Sequence, residues 1–251
     1  MTSTAPEASP SPDTAARPAA EDVLIEVRDV SRIYTQGQLE VRALDRVSVT
    51  FAPGEFTAIA GPSGSGKTTL LNVIGALDKP SAGSVIVDGR EVAQLGRAEG
   101  ADFRLRHVGF VFQAYNLLPV LTAYENAEFT LALQGLPKTE RRERVMPLLE
   151  RVGLGQKADR RPDELSGGEQ QRVAVVRALA SKPNLVLADE PTANLDRKTG
   201  EALLDLMLEL QREHGITFLF STHDPLVMER ARRILRMDSG RIVADERQGE
   251  A

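Results

Sequence analysis

Apolar and polar residues alternate along "VLIEVRDVSRIY", the period-two pattern of a strand with one buried face. Two short runs of the same kind flank Asp88-Gly89 in "GSVIVDGREV", which predicts a hairpin turning at that pair. "GEFTAIAGPSGSGKTTLLNVIGAL" joins a short apolar strand to a helix through a glycine-rich turn. From Ala114 to Arg161 the pattern becomes mostly helical and charged. Within it, "KTERRERVMPLLERVGL" has a wet face and an apolar face, an expected interruption at Pro147 and an end near Gly153. After Pro183 the chain returns to strand, helix and strand in "NLVLAD", "GEALLDLMLELQREHG" and "ITFLFS". No internal repeat is visible. The succession predicts an α/β core with an inserted helical lobe, at about residues 114–180.

Composition narrows the class. The chain has 251 residues and 41% apolar residues, enough for an ordinary buried core, and residues 21–251 are expected to form a single domain. Residues 1–20, "MTSTAPEASPSPDTAARPAA", have almost nothing to bury and predict a disordered tail. There is no cysteine, which excludes disulfides and thiolate metal sites. A net charge of -5 argues against a general nucleic-acid binder, which usually carries a basic excess. No apolar run approaches the ~20 residues needed to cross a bilayer. The start lacks the charged-then-apolar order of a signal peptide. A soluble, cytoplasmic protein is expected.

The glycine-rich turn carries the first chemistry. Gly61, Gly66, Lys67 and Thr68 fit G-x-x-x-x-G-K-[ST], in the strand-turn-helix context that this pattern requires. Pro62, Ser63, Gly64 and Ser65 complete the loop. Glycines let a backbone wrap a phosphate with no Cβ in the way. Lys67 supplies a point charge for β- and γ-phosphates, the Thr68 hydroxyl can ligate Mg²⁺, and Thr69 can reach an α-phosphate.

Three further apolar runs end in polar groups. "LVLADEP" ends in Asp189 and Glu190. In a parallel sheet, ligands bind beyond the carboxyl ends of the strands, so Asp189 is placed to hold Mg²⁺ through water and Glu190 to face an attacking water. Adjacent acids there are costly unless a cation compensates. His223 follows "ITFLFS" on the same predicted sheet edge. Gln113, in "GFVFQAYN", also follows an apolar run and can reach Mg²⁺ or water.

A second glycine motif is harder to place. "LSGGEQQRVAVVRAL" sets Ser166, Gly167, Gly168 and Glu169 at the start of a helix pattern, a natural anion site. One chain thus holds two phosphate-binding signals about a hundred residues apart.

Together these residues resemble the nucleotide-binding subunit of an ATP-binding cassette (ABC) transporter. The resemblance spans roughly residues 22–245: the phosphate loop, Gln113, "LSGGEQ" at 165–170, "LVLADE" at 185–190, the loop Ala193–Asp196 and His223. "NLLPVLTAYEN", "LSGGEQQRV" and "ADEPTANLD" look most like the branch serving lipoprotein release, macrolide export and the cell-division permease complex. Ala193 departs from the family's common glycine. The resemblance implies a P-loop NTPase core with a mostly parallel sheet, an antiparallel β lobe and the inserted helical lobe. It implies ATP and Mg²⁺, an ATP-dependent homodimer and ATP hydrolysis that drives a separate permease for export or extraction. It also answers the question of the second motif: Ser166, Gly167 and Gly168 of one subunit close over the γ-phosphate held by Lys67 of the other. Tyr34 matches the aromatic position against adenine, or is a half-buried strand tyrosine. The resemblance further implies that Glu190 orients or deprotonates water, that His223 holds Glu190 and the γ-phosphate in register, and that Asp196 links the two sites.

With no membrane span, the permease is a separate chain, and the protein is expected at the inner face of the membrane. Tyr115, Leu117 and Leu118 either wall the groove for a permease helix or close the helical lobe's own core. The Arg-rich "MERARRILRM" faces lipid headgroups or is a solvated helix face. The alternative function is an ABC ATPase that transmits force or signal through a permease-like partner. A role on DNA or ribosomes is disfavoured, because such proteins carry two cassettes or a long coiled-coil insertion. A plain P-loop kinase has no use for "LSGGEQ".

Overall fold

A computed structural model describes residues 23–37 and 39–248. The tail expected at 1–20 lies outside them. The chain opens with a long antiparallel pair, β1 (Ile25–Gln36) and β2 (Leu39–Phe51). Next come β3 (Phe56–Ala60), α1 (Lys67–Ile74), β4 (Ala82–Val87) and β5 (Arg90–Glu91). Asp88 and Gly89 turn the β4–β5 hairpin, both at positive φ (51° and 71°), the backbone of the tight turn expected there. Then follow α2 (Arg97–His107), β6 (Val108–Val111), α3 (Ala123–Leu133), α4 (Lys138–Arg151) and α5 (Gly167–Ala180). The chain continues with β7 (Leu185–Asp189), α6 (Arg197–His214), β8 (Thr217–Thr222), α7 (Pro225–Arg230), β9 (Arg233–Asp238) and β10 (Arg241–Arg247).

Two sheets result. The smaller is antiparallel, in the order β2-β1-β4-β5; the larger runs β10-β9-β3-β8-β7-β6 and is parallel except at β10. The larger sheet is buried on both faces, which is why its strands read as unbroken apolar runs. On β8, Phe218 and Phe220 face the helical side with Val173, Leu203 and Met207. Leu219 faces the opposite side, with Leu70 and Ile74 of α1 and with Ile25, Val27, Val85 and Val87 of the small sheet.

The structure corrects two local expectations. Pro147 does not interrupt α4, which continues to Arg151. Val145 and Leu149 on either side are fully buried and anchor the helix, whereas Pro147 and Glu143 are exposed. The Glu143 carbonyl that a proline leaves unpaired therefore meets water, which lowers the cost of the lost bond. "MERARRILRM" is no single helix face either: α7 ends at Arg230 and β9 begins at Arg233. Arg233 is buried and bonds to Asp245 and Glu55, Arg236 pairs with Glu246, and Arg230 pairs with Asp205. Arg230, Arg233 and Arg236 thus all pair within the fold.

Candidate active site

Parallel pairing puts the carboxyl ends of β3, β8, β7 and β6 on one edge of the sheet. Gly61, Glu190 and His223 are the residues that directly follow β3, β7 and β8, and Gln113 lies just beyond β6. This register gathers residues far apart in sequence around a cleft of ≈ 750 Å³. The lining includes Tyr34, Gly61 to Gly64, Gly66 to Thr69, Gln113, Asp189, Glu190 and His223. Ser65 belongs to the loop but is buried, and its hydroxyl has no partner.

The loop's glycines are sterically required. Gly66 has φ 101°, and a Cβ there would stand 2.4 Å from the Ala43 carbonyl; one at Gly61 would stand 2.1 Å from the Met237 carbonyl. Both lie far inside contact distance, so the loop closes only on bare backbone. Lys67 is buried at the start of α1. Its ammonium donates to the carbonyls of Gly61 and Pro62 at 2.8 and 2.9 Å, which curls the loop around a cationic centre.

Thr68 Oγ1 donates to Asp189 Oδ1 and Oδ2 at 3.0 and 3.1 Å. A hydroxyl, a carboxylate and the nearby Gln113 amide form a hard oxygen donor set, the kind that suits Mg²⁺. The described residues hold no cluster of three His, Cys, Asp or Glu able to cage a metal alone. The set therefore fits an ion that keeps water and takes ligands from a bound phosphate.

Glu190 sits at φ 48°, a left-handed backbone that costs a non-glycine residue about 1 kcal/mol. Its N–H donates to the Ser221 carbonyl at 2.9 Å, which ties β7 to β8 at this point. Its carboxylate lies 2.6 Å from His223 Nδ1 through Oε1 and accepts from Thr222 Oγ1 at 3.2 Å through Oε2. The cleft thus presents a fixed carboxylate, a buried cation and a hydroxyl-carboxylate pair. Such a set can bind a polyphosphate and activate water against it.

Tyr34 lines the far end of the cleft. Its hydroxyl donates to Asp78 Oδ2 at 2.7 Å, Arg32 Nε donates to the same oxygen at 2.8 Å, and the Arg32 guanidinium lies 4.4 Å from the ring centroid. Burial pushes the Asp78 carboxyl up, but the bonds from Tyr34 and Arg32 more than offset this and leave it below the usual range. Arg32 does not line the cleft, whereas Tyr34 does and is 38% exposed.

The second glycine motif lies elsewhere. None of Ser166, Gly167, Gly168 and Glu169 lines the cleft of its own chain. Ser166 caps α5 in a capping box: its hydroxyl accepts from Glu169 N–H, and its own N–H donates to Glu169 Oε2. Lys157 Nζ lies 2.5 Å from Glu169 Oε1; that hydrogen bond, with the Ser166 N–H, holds the Glu169 carboxyl below the usual range. Asp196 likewise lies outside the cleft. It caps α6 by accepting from Thr199 N–H and Oγ1 at 3.0 and 2.6 Å. That cap starts α6 at Arg197, three residues before the segment that the apolar pattern marks.

The loop after β6 carries Tyr115, Leu117 and Leu118. Leu117 packs against the main core, and Leu118 is half exposed. Asn126 pins the loop from within by bonding Leu118 N–H and the carbonyls of Leu118, Leu121 and Thr122. An apolar groove of ≈ 600 Å³ does lie nearby, between α2, β6 and α3, where Leu77, Phe110, Phe112, Phe129 and Leu133 are among its lining. On its rim, Arg177 of α5 donates to the Asn116 and Tyr115 carbonyls at 2.6 and 2.8 Å.

Sequence reasoning passed over Thr222, Asp224 and Thr192. The signal for Thr222 was its position directly before His223 at the same strand end.

Residues 44–193 match the family model described as "ABC transporter". An uncharacterised ABC transporter ATP-binding protein of Thermotoga maritima is 49% identical over 226 residues, covering 90% of this chain and 96% of the relative. The lipoprotein-releasing system ATP-binding protein LolD of Shewanella sp. (strain MR-7) is 46% identical over 224 residues, covering 89% and 97%. The macrolide export ATP-binding/permease protein MacB 1/2 of Paracoccus denitrificans is 47% identical over 226 residues, but this chain spans only 34% of its length. Among solved structures, the dimeric post-hydrolysis state of the ATP-binding cassette MJ0796 bound to ADP and Pi superposes with TM-score 0.86 at 41% identity, covering 90% of this chain and 100% of that one.

Proposed function

The chain belongs to the ABC transporter family of ATP-binding proteins, with the ABC ATPase fold and ATP hydrolysis as its activity, and on that premise we propose that it works as a homodimer with two shared ATP sites, coupled to a separate membrane permease. One observation carries this reading: Lys67, Asp189, Glu190 and His223 share a cleft from which the Ser166 helix start of the same chain is absent. A second copy supplies that helix start. Residues 21–251 act as one nucleotide-binding domain.

Within each site, Tyr34 offers its ring to adenine. Lys67 and the backbone from Gly61 to Gly66 hold the β- and γ-phosphates, and Thr69 reaches the α-phosphate. Thr68, Asp189 and Gln113 would hold Mg²⁺, which when bound neutralises charge on the β- and γ-oxygens. Glu190 orients a water for in-line attack and takes up its proton, and His223 keeps Glu190 in register with the γ-phosphate. Across the interface, the Ser166 hydroxyl and the N–H groups of Gly167 and Gly168 of the partner are directed at the same phosphate, with Glu169 securing their cap. Asp196 joins the two sites. The groove between α2 and α3 receives a cytoplasmic helix of the permease, which places the protein at the inner face of the membrane. In keeping with that, no helix among the described residues is long and apolar enough to cross a membrane. Export or extraction from the membrane is the output best supported by the LolD and MacB relatives.

The shared site is tested by mixing two inactive variants. Ser166→Arg should bind ATP as a monomer and fail to hydrolyse it; Lys67→Ala should fail to bind. In a mixed dimer one site carries both lesions and the other carries neither, so partial activity should return. Full hydrolysis by Ser166→Arg alone would overturn the composite site.

A further inference from the structure

Two adjacent residues at one strand end hold the Glu190 carboxylate, and they differ in exposure. His223 reaches Oε1 at 2.6 Å, but its side chain is 76% exposed and can turn toward a phosphate in the cleft. Thr222 reaches Oε2 at 3.2 Å and is 0% exposed, locked as the last residue of β8. When the imidazole turns away, the Thr222 hydroxyl remains.

The polarity of that hydroxyl is also fixed. A threonine hydroxyl has one proton and two lone pairs. Asp224 N–H donates to Thr222 Oγ1 at 2.9 Å, so the hydroxyl's own proton is left for Glu190. Asp224 is itself held on both oxygens: Leu226 N–H donates to Oδ1 at 2.9 Å, and Thr192 Oγ1 donates to Oδ2 at 2.5 Å. Thr192 lies on the segment that leads from Glu190 to Asp196, where Ala193 N–H donates back to the Glu190 carbonyl at 3.2 Å. A closed loop of hydrogen bonds and chain links therefore runs from the Glu190 carboxylate through Thr222, Asp224 and Thr192, and returns through the adjoining Ala193 N–H to the Glu190 carbonyl. The backbone's left-handed φ sets where the side chain starts, and the circuit sets where it ends.

We propose that Thr222 is a positioning residue for ATP hydrolysis, holding the Oε2 edge of Glu190 so that Oε1 faces the attacking water when His223 engages the γ-phosphate. This rests on the reading of Glu190 as the carboxylate that activates water. Thr222 is buried and does not line the cleft; it acts through Glu190.

Steady-state kinetics of Thr222→Val, Thr222→Ser and Glu190→Gln test it. Thr222→Val keeps shape and removes the donor, so kcat should fall about tenfold, the scale of one hydrogen bond to a charged group, while KM and ATP affinity stay at wild-type values. Thr222→Ser keeps the donor and should restore kcat. In the Glu190→Gln background, Thr222→Val should cause little further loss, since the charge it positions is gone. If Thr222→Val lowers the thermal midpoint, Thr222→Ala, which spares the strand and leaves room at the hydroxyl's place, carries the same expectation. Wild-type kcat in the donor-less variant, failure of serine to restore it, or a full tenfold loss on top of Glu190→Gln would overturn the proposal. Wild-type turnover by Glu190→Gln would instead overturn the reading of Glu190 itself.

Discussion

Thr68 Oγ1 donates to both carboxylate oxygens of Asp189, at 3.0 and 3.1 Å, and so joins the first turn of α1 to the end of β7. Two prospective ligands of one cation are thus already within bonding distance of each other, and little rearrangement is needed to put an ion between them.

Thr68→Ala should therefore separate nucleotide binding from Mg²⁺ use. ATP affinity without Mg²⁺ should stay near wild type, because Lys67 and the loop backbone are untouched. Losing a ligand to the ion should slow hydrolysis at fixed Mg²⁺ on the order of a hundredfold, with partial recovery at high Mg²⁺. Calorimetry with and without the ion, together with a Mg²⁺ titration of the rate, checks this. An unchanged Mg²⁺ dependence would remove Thr68 from the metal site.

Leu133→Asp should break coupling and leave the cassette intact. Leu133 is 60% exposed on the rim of the groove between α2 and α3, so the substitution should change stability by no more than about 0.5 kcal/mol. Basal ATP hydrolysis should persist, while co-purification with the permease and stimulation by it should fall. Leu118→Asp, outside the groove, should do neither. Equal recovery of the complex with both variants would count against the groove as the docking surface.

Acid should loosen the Ser166 helix start through Glu169. The folded-state pKa of Glu169 is lowered from the ordinary value of 4.5, chiefly by the hydrogen bond from Lys157. A lowered carboxyl pKa stabilises the fold above its unfolded value, and this contribution is lost as pH falls through the folded value. Lys157→Met should therefore flatten the fall of the thermal midpoint between about pH 5 and about pH 3 relative to wild type. Parallel curves for the two proteins would show that the pair adds nothing.

Much of this architecture was legible from residue patterns. The buried strands announced themselves as apolar runs, and the residues at their ends fell on one edge because parallel pairing leaves no other place for them. The turn at Asp88-Gly89 was readable for a local reason, as two adjacent positive φ values suit that pair. Helix α2 was not readable. Its sequence "RAEGADFRLRH" buries only Gly100 and Phe103, so it carries no apolar period. Pro147 misled because propensity is local, while the burial of Val145 and Leu149 that overrides it is not. Which of Leu117 and Leu118 turns inward was unreadable for the same reason: they are neighbours in sequence, and only the fold packs one against the core and leaves the other half exposed. The expectation that the Ser166 motif serves a second copy came from family resemblance, since no residue pattern says which copy a helix start will face.

The Arg177 clamp has a mechanical consequence. Tyr115 and Asn116 both adopt left-handed backbones, at φ 54° and 50°, and their carbonyls share a single guanidinium rooted in α5. The loop that begins at Gln113 is thus fastened by its main chain to the helix that begins after Ser166. Two charge-assisted bonds would have to break for one to slide past the other. Gln113 in the cleft and the exposed Ser166 at the α5 start therefore stand at the two ends of one hydrogen-bonded linkage, and a shift of the loop pulls on the helix.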